Sequence, residues 1–192
     1  MTSAHRLKIL SSSGKTVFTL GNLQALWNMS PATVRITAKR MVDDRLLTRI
    51  ARGYLSLEEK FNILELANLI ITPSYISLHS ALFHHGVSFQ VSRAVTSISL
   101  LNYRRNAGGT AFQYFAMKDS LFFNLDGIRY KNNLAVAEPE RALLDCLYFH
   151  LLPSLDNGDM INPLILRKLS VRYPKTVQAE IPRYLEKGMT KT

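Results

Sequence analysis

A helix with one apolar and one basic side, followed directly by a β-hairpin, is the predicted feature that most constrains this fold. Ser30 and Pro31 mark the helix start, because a serine hydroxyl can accept a free backbone N–H and proline needs no donor at the first helical position. The helix is predicted from Pro31 to about Arg45. At about 100° per residue, its apolar side contains Val34, Ala38, Met41 and Val42. The opposite side presents Ala32, Ile36, Lys39, Arg40 and Asp43, flanked by Thr33 and Arg35.

Shorter elements are predicted before this helix. Residues 5–10 and 20–28 have helical patterns, and residues 16–19 form a β-prone run between them. Two helices joined by a tight turn, the second with a basic outer side, are typical of a helix-turn-helix.

A hairpin is predicted directly after the basic helix. Residues 46–50 and 54–57 are β-prone runs on either side of an Ala-Arg-Gly turn. Helices followed by such a hairpin predict a winged helix in residues 1–57, with the hairpin as its wing. Arg49 and Arg52 would lie at or near the hairpin tip, within reach of phosphate or the minor groove.

The positive charge of the chain is concentrated in the same segment. Residues 1–57 contain 9 Lys+Arg and 2 Asp+Glu, which is +7 of the total net charge of +10. A basic surface supplies the sequence-independent part of nucleic-acid affinity by releasing ions condensed on phosphates. Double-stranded DNA is favoured over RNA as the partner, because the major groove of A-form RNA is too narrow for a helix.

The residues expected to contact DNA are Ser30, Thr33, Arg35, Ile36, Lys39, Arg40, Arg49 and Arg52. Cations near the helix start can read guanine edges, whereas the hairpin arginines mainly bind phosphate. Ile36 has two interpretations: it touches a thymine methyl, or it is an exposed or locally packed apolar residue without a role. Each arginine taken alone is also explained as a solvated surface charge.

The remaining residues, 58–192, are predicted to form one mixed α/β domain, which gives the whole chain an α+β class. Predicted helices cover residues 58–71, 75–85, 138–151, 163–173 and 175–187. Predicted strands cover residues 95–101, 112–117, 121–125 and 134–137, with a turn at residues 106–109.

Catalytic and metal-binding patterns are not found in this sequence. There is one cysteine, Cys146, and no HExxH or CxxC motif, and the spacing of His79 and His84 puts them on different sides of a helix. We therefore expect no enzyme activity, no metal and no cofactor. The single cysteine fits a reducing compartment, and no signal peptide or membrane span is apparent, so a cytoplasmic location is expected.

Three segments share a pattern with one known family. They are residues 46–55 (LLTRIARGYL), 75–86 (YISLHSALFHHG) and 135–145 (AVAEPERALLD). In this order and spacing they resemble the AbiEi family of antitoxins from type IV toxin–antitoxin and abortive-infection systems. The sequence departs from the family where Asp44-Arg45 replaces the glycine that often precedes the hairpin.

The resemblance implies a protein with two roles. Its winged helix would bind inverted repeats upstream of its own operon and repress transcription. Its C-terminal domain would counter a cognate nucleotidyltransferase-like toxin, and in this family no stable complex with the toxin is assumed.

Two other functions remain open from the sequence. One is a ligand-sensing transcription regulator, in which aromatic residues such as Phe112, Tyr114 and Phe115 line a pocket. The other is a DNA-processing enzyme that uses a metal ion bound by Glu138, Glu140 or Asp145. For these acids the simpler explanation is a favourable position near the positive end of a helix.

Overall fold

A computed structural model describes residues 1–131 and 133–189 and shows a mixed α+β fold. The N-terminal segment, residues 1–57, contains α1 (Ser3–Ser12), β1 (Val17–Thr19), α2 (Leu20–Trp27), α3 (Pro31–Asp43), β2 (Thr48–Ala51) and β3 (Tyr54–Ser56). Its strands form an antiparallel sheet in the order β1-β3-β2. The helices and strands predicted for this segment are therefore confirmed, with small shifts at their ends.

Local capping interactions explain where these helices begin and end. The Thr19 hydroxyl accepts the Asn22 N–H, and the Asn22 side chain accepts the Thr19 N–H, which closes a capping box at α2. The Ser30 hydroxyl accepts the Thr33 N–H at the start of α3, as predicted. The predicted extension of α3 to Arg45 is wrong, because Arg45 adopts a left-handed φ of 58° that ends the helical path.

The C-terminal segment, residues 58–189 where described, contributes a second sheet and further helices. Its elements are α4 (Ile63–Ile70), β4 (Ser74–Ile76), α5 (Leu78–His84), β5 (Ala94–Ser99), β6 (Tyr103–Ala107), β7 (Thr110–Ala116), α6 (Asp119–Phe122), β8 (Ile128–Lys131), β9 (Leu134–Ala137), α7 (Pro139–Tyr148), α8 (Pro163–Ser170) and α9 (Lys175–Met189). The strand order is β6-β7-β5-β4-β9-β8. Pairs β5–β7 and β4–β9 are parallel, and the other pairs are antiparallel. Within the described residues, no helix has both the length and the apolar character needed to span a membrane.

Three sequence predictions in this segment are wrong. Residues 121–125 do not form a strand, because α6 covers 119–122. The helix predicted over 75–85 starts only at Leu78, since residues 74–76 form β4 between two other strands. The helix predicted from residue 58 begins at Ile63, where the Asn62 side chain caps it.

Two hydrophobic clusters form the core, and β1 and β3 contribute to both. Phe18 and Leu55 lie in the first cluster with residues of α1, α2 and α3. Val17 and Tyr54, their neighbours along the same strands, belong to the second cluster, which is formed mainly by the C-terminal segment. Because successive side chains of a strand point to opposite faces, the sheet is covered on both faces. The two segments therefore share a packed boundary.

A buried ion pair on α7 connects the elements of the C-terminal segment. The side chains of Arg141 and Asp145 are 1% and 0% exposed, and Nε of the first lies 3.1 Å from Oδ1 of the second. The guanidinium also donates to the Tyr75 hydroxyl and to three carbonyls, those of Leu121, Asn124 and Asp126.

The aspartate is surrounded by hydroxyl donors. Asp145 accepts hydrogen bonds from Tyr75, Ser77 and Tyr173. Burial, together with the nearby Asp145 charge, raises the pKa of both tyrosines well above the usual range. Both phenols therefore stay protonated and can donate, so the buried charges have the hydrogen-bond partners that low-dielectric burial requires.

We expect Asp145→Asn to lower the free energy of unfolding by about 3 kcal/mol or more, because the buried Arg141 guanidinium would lose its counter-charge. Glu138→Gln is the matched control, since it disrupts a pair with Arg129, whose side chain is 66% exposed. Such a surface pair contributes about 1 kcal/mol or less. Equilibrium unfolding in urea measures both variants, and equal losses would contradict the central role of the buried pair.

Candidate nucleic-acid interface

The outer side of α3 is an open surface with basic character. All eight residues predicted to contact DNA are exposed: Ser30, Thr33, Arg35, Ile36, Lys39, Arg40, Arg49 and Arg52. Ile36 is 55% exposed, so the alternative that it packs against a neighbouring element is wrong. The Ser30 and Thr33 hydroxyls lie 2.9 Å apart at the cap of α3 and share one hydrogen bond.

The opposite side of α3 fixes its orientation. Val34, Ala38 and Met41 are at most 3% exposed and pack in the first cluster with Leu23 and Trp27 of α2. Side chains locked in a core of this kind hold a helix rigidly. The cationic side chains on the outer side of α3 are therefore attached to a helix with a fixed orientation.

The basic side chains of this surface form no ion pairs within the described part of the chain, although Asp43 shares the outer side of α3. The ion pairs found in the described part of the chain are Arg129–Glu138 and Arg141–Asp145. None of the five predicted DNA-contacting cations takes part in either pair: Arg35, Lys39, Arg40, Arg49 and Arg52. A surface of unpaired cations attracts polyanions and falls in affinity as salt is added.

The hairpin after α3 adds two more arginines at a defined position. β2 and β3 pair antiparallel, with a register shift between Arg49 and Ala51. The turn contains Arg52 and Gly53, and the φ of +94° at Gly53 is one that other residues rarely adopt. The structure brings Arg49 and Arg52 to the hairpin, as the sequence predicted.

Arg105, a residue that the sequence analysis missed, contacts the hairpin turn. Nη2 of Arg105, on β6, donates to the Arg52 carbonyl at 3.3 Å, and its guanidinium lies 5.2 Å from the Tyr54 ring centroid. Close packing occurs beside it, since a Cβ at Gly108 would lie 2.8 Å from Cγ2 of Ile50. Arg52 and Arg105 are 53 positions apart in the sequence, so no local pattern predicts this contact.

A second set of contacts joins Thr16, the residue before β1, to α4 and its cap residue Asn62. The carboxylate of Glu65 accepts both the N–H and the hydroxyl of Thr16, at 2.9 Å and 2.6 Å. The Thr16 hydroxyl in turn accepts the Asn62 N–H at 2.9 Å. The three-stranded sheet is thus tied to the C-terminal segment just before β1 and at the turn between β2 and β3.

The carboxylates considered for metal chemistry have other partners. Glu138 pairs with Arg129, Glu140 accepts the Asn162 N–H at 2.7 Å, and Asp145 lies in the buried network. Over residues 1–131 and 133–189, no group of three or more His, Cys, Asp or Glu side chains is placed to hold a metal ion.

Two histidines of α5 lie at one groove. His79 and His84 are about 140° apart around the helix, as five residues of spacing require. Both nevertheless line the same open groove, together with Ser80 and Phe83.

Comparison of the chain with protein-family models gives no match, and comparison with curated proteins gives none either.

We expect Arg105→Gln to loosen the hairpin, because it removes both the bond to the Arg52 carbonyl and the contact with the Tyr54 ring. Arg104→Gln is the matched control, with the same charge change at an exposed neighbour on the same strand. Loss of about 1 kcal/mol of local stability would speed amide exchange in residues 50–54 about fivefold. Hydrogen–deuterium exchange measures this, and similar exchange rates in the two variants would refute the supporting role of Arg105.

Proposed function

We propose that this chain is a DNA-binding repressor of its own operon, with residues 1–57 acting as a winged helix. One observation carries the proposal: α3, whose inner side packs in a buried core, and the hairpin that follows it carry five exposed cations that take part in none of the ion pairs of the described residues. In such a module the helix enters the major groove, which is about 12 Å wide in B-DNA. The hairpin then lies against the adjacent backbone.

Each side chain has a role consistent with its position. Arg35, Lys39 and Arg40 project from the outer side of α3 and are placed to reach base edges or phosphates. Arg49 and Arg52 bind phosphate or the minor groove beside the helix. Ile36, being exposed and unpacked, is suited to contact with a thymine methyl. Inverted repeats would accommodate two copies of the chain, one at each half-site.

An antitoxin role is the second part of the proposal, and the resemblance to the AbiEi family supports it. Two of the segments that carry the resemblance lie together in the fold. Ile76 of β4 pairs with Val136 of β9, and Tyr75 and Ser77 both donate to Asp145. These motif residues therefore support the architecture of the C-terminal segment. The partner in this function is a nucleotidyltransferase-like toxin, countered without an obligatory stable complex and without a cofactor.

The DNA proposal is tested by binding of the full chain to its own upstream DNA, against a scrambled duplex, across a salt series. We expect a preference for the upstream duplex that persists at about 0.15 M salt. Arg52→Ala should weaken both duplexes alike and reduce the salt slope by about one unit, because it removes one phosphate contact.

Arg167→Ala serves as the matched control for that measurement, since it removes an exposed arginine on α8 outside the predicted contact set. Its affinities and salt slope should equal those of the unmodified chain. Equal binding of the two duplexes by the unmodified chain would refute specific regulation.

The antitoxin proposal is tested separately by expressing the chain together with the product of the neighbouring gene, which the proposal predicts to be a nucleotidyltransferase-like toxin. We expect growth to be restored by the unmodified chain. A variant with Arg35, Lys39 and Arg40 all changed to Ala should restore growth equally, because these exposed residues lie outside the C-terminal segment. Expression of both chains is verified by blotting, and toxicity that persists at full expression of the unmodified chain would refute this role.

A further inference from the structure

An open groove of about 470 Å³ lies between α4, α5 and the starts of β5 and β7. Its lining includes Leu64, His79, Phe83, Val91, Arg93 and Thr110. Phe83 is 48% exposed and Val91 is 79% exposed, so apolar surface remains in contact with solvent here. A groove of this size and apolar character matches the dimensions of sites for small molecules.

The ionised side chain at the groove is positive, because the lining includes Arg93 and, among the described residues, no acid. Arg93 is exposed and takes part in neither of the ion pairs found in the described part of the chain. Among the described residues that line the groove, none is an Asp or a Glu. An anionic group entering the groove would therefore meet a free guanidinium and no acidic side chain to oppose it.

The two histidines add polarity without adding charge. Burial lowers the pKa of His79, and burial together with the neighbouring His85 lowers the pKa of His84. Both imidazoles are neutral near pH 7, and each offers one N–H donor and one acceptor. They are suited to orient a polar group whose body lies on the apolar walls.

We infer that this groove binds a small amphipathic carboxylic acid, with an aromatic or aliphatic body against Phe83, Val91 and Leu64 and its carboxylate on Arg93. Apolar walls with a single cationic end favour this class over a sugar, which lacks a large apolar body, and over a nucleotide, whose several charges need more cations. The site is argued independently of DNA binding, whereas its use as a regulator rests on the proposed function.

The groove lies next to the contacts that hold the hairpin. Leu64 lines the groove, and Leu66 on the same helix lies 3.9 Å from the Cβ position of Gly108. Thr110 lines the groove two residues beyond Gly108, whose Cβ position is 2.8 Å from Ile50 of the hairpin. A ligand that orders α4 and this turn would therefore also order the hairpin.

Titration calorimetry of the full chain with 4-phenylbutyrate, octanoate and 2-naphthoate tests the site, with 4-phenylbutanol as the uncharged analogue. We expect saturable binding of at least one acid at one site per chain, and binding of the alcohol about tenfold weaker than that of 4-phenylbutyrate. Val91→Glu should weaken acid binding at least tenfold by adding a negative charge at the groove. Val171→Glu is the matched control, because Val171 is 73% exposed and lies outside the groove lining.

A second variant separates charge recognition from apolar contact. Arg93→Gln should weaken binding of the acid about fivefold and leave binding of the alcohol unchanged. Bound acid should also slow amide exchange in residues 48–56, a result that does not depend on any DNA. Absence of saturable binding by all three acids, or equal binding by the Val91→Glu and Val171→Glu variants, would overturn the proposed site. Binding of an apolar peptide in place of the acids would overturn it as well.

Discussion

The buried pair of Arg141 and Asp145 is the interaction on which the C-terminal segment depends. Moving two charges out of water costs several kcal/mol per ion, and the loss is offset only when the remaining donors and acceptors are also satisfied. Here the partners come from β4, from the residue before α5, from α6 and the loop after it, and from the residue Tyr173 between α8 and α9. An arrangement that misplaces one of these elements leaves a buried charge without a partner, so the pair favours one packing of the segment.

The join between the segments determines how the proposed DNA-binding surface is held. β1 and β3 supply side chains to both hydrophobic clusters, so the three-stranded sheet is not a free-standing module with one solvated face. Polar contacts hold the residue before β1, through Thr16, and the turn between β2 and β3, through Arg105. Changes in the C-terminal segment can therefore alter the hairpin without touching α3. This coupling links the proposed ligand groove to the proposed regulator.

Local patterns predicted the N-terminal segment well, because caps, turns and helix faces are encoded by neighbouring residues. The start of α3 at Ser30-Pro31 and the hairpin turn at Gly53 are examples. The prediction failed where structure depends on distant partners. β4 is three residues long and forms between β5 and β9, and β6 and β8 are largely exposed edge strands without an apolar run. Arg105 and the Asp145 network were missed for the same reason, whereas the eight predicted contact residues are all exposed.

Trp27 is an intrinsic fluorescence probe of the N-terminal segment. It is the single tryptophan of the sequence, 2% exposed in the first cluster, with the Arg6 guanidinium 5.9 Å from its ring. Tyr75, Tyr114 and Tyr173 lie in the second cluster. Emission excited selectively from the indole therefore originates in the N-terminal segment alone, while the tyrosine bands of near-ultraviolet absorption come largely from the other segment. Trp27 fluorescence and tyrosine absorption can therefore monitor unfolding of the first and the second hydrophobic cluster in one sample.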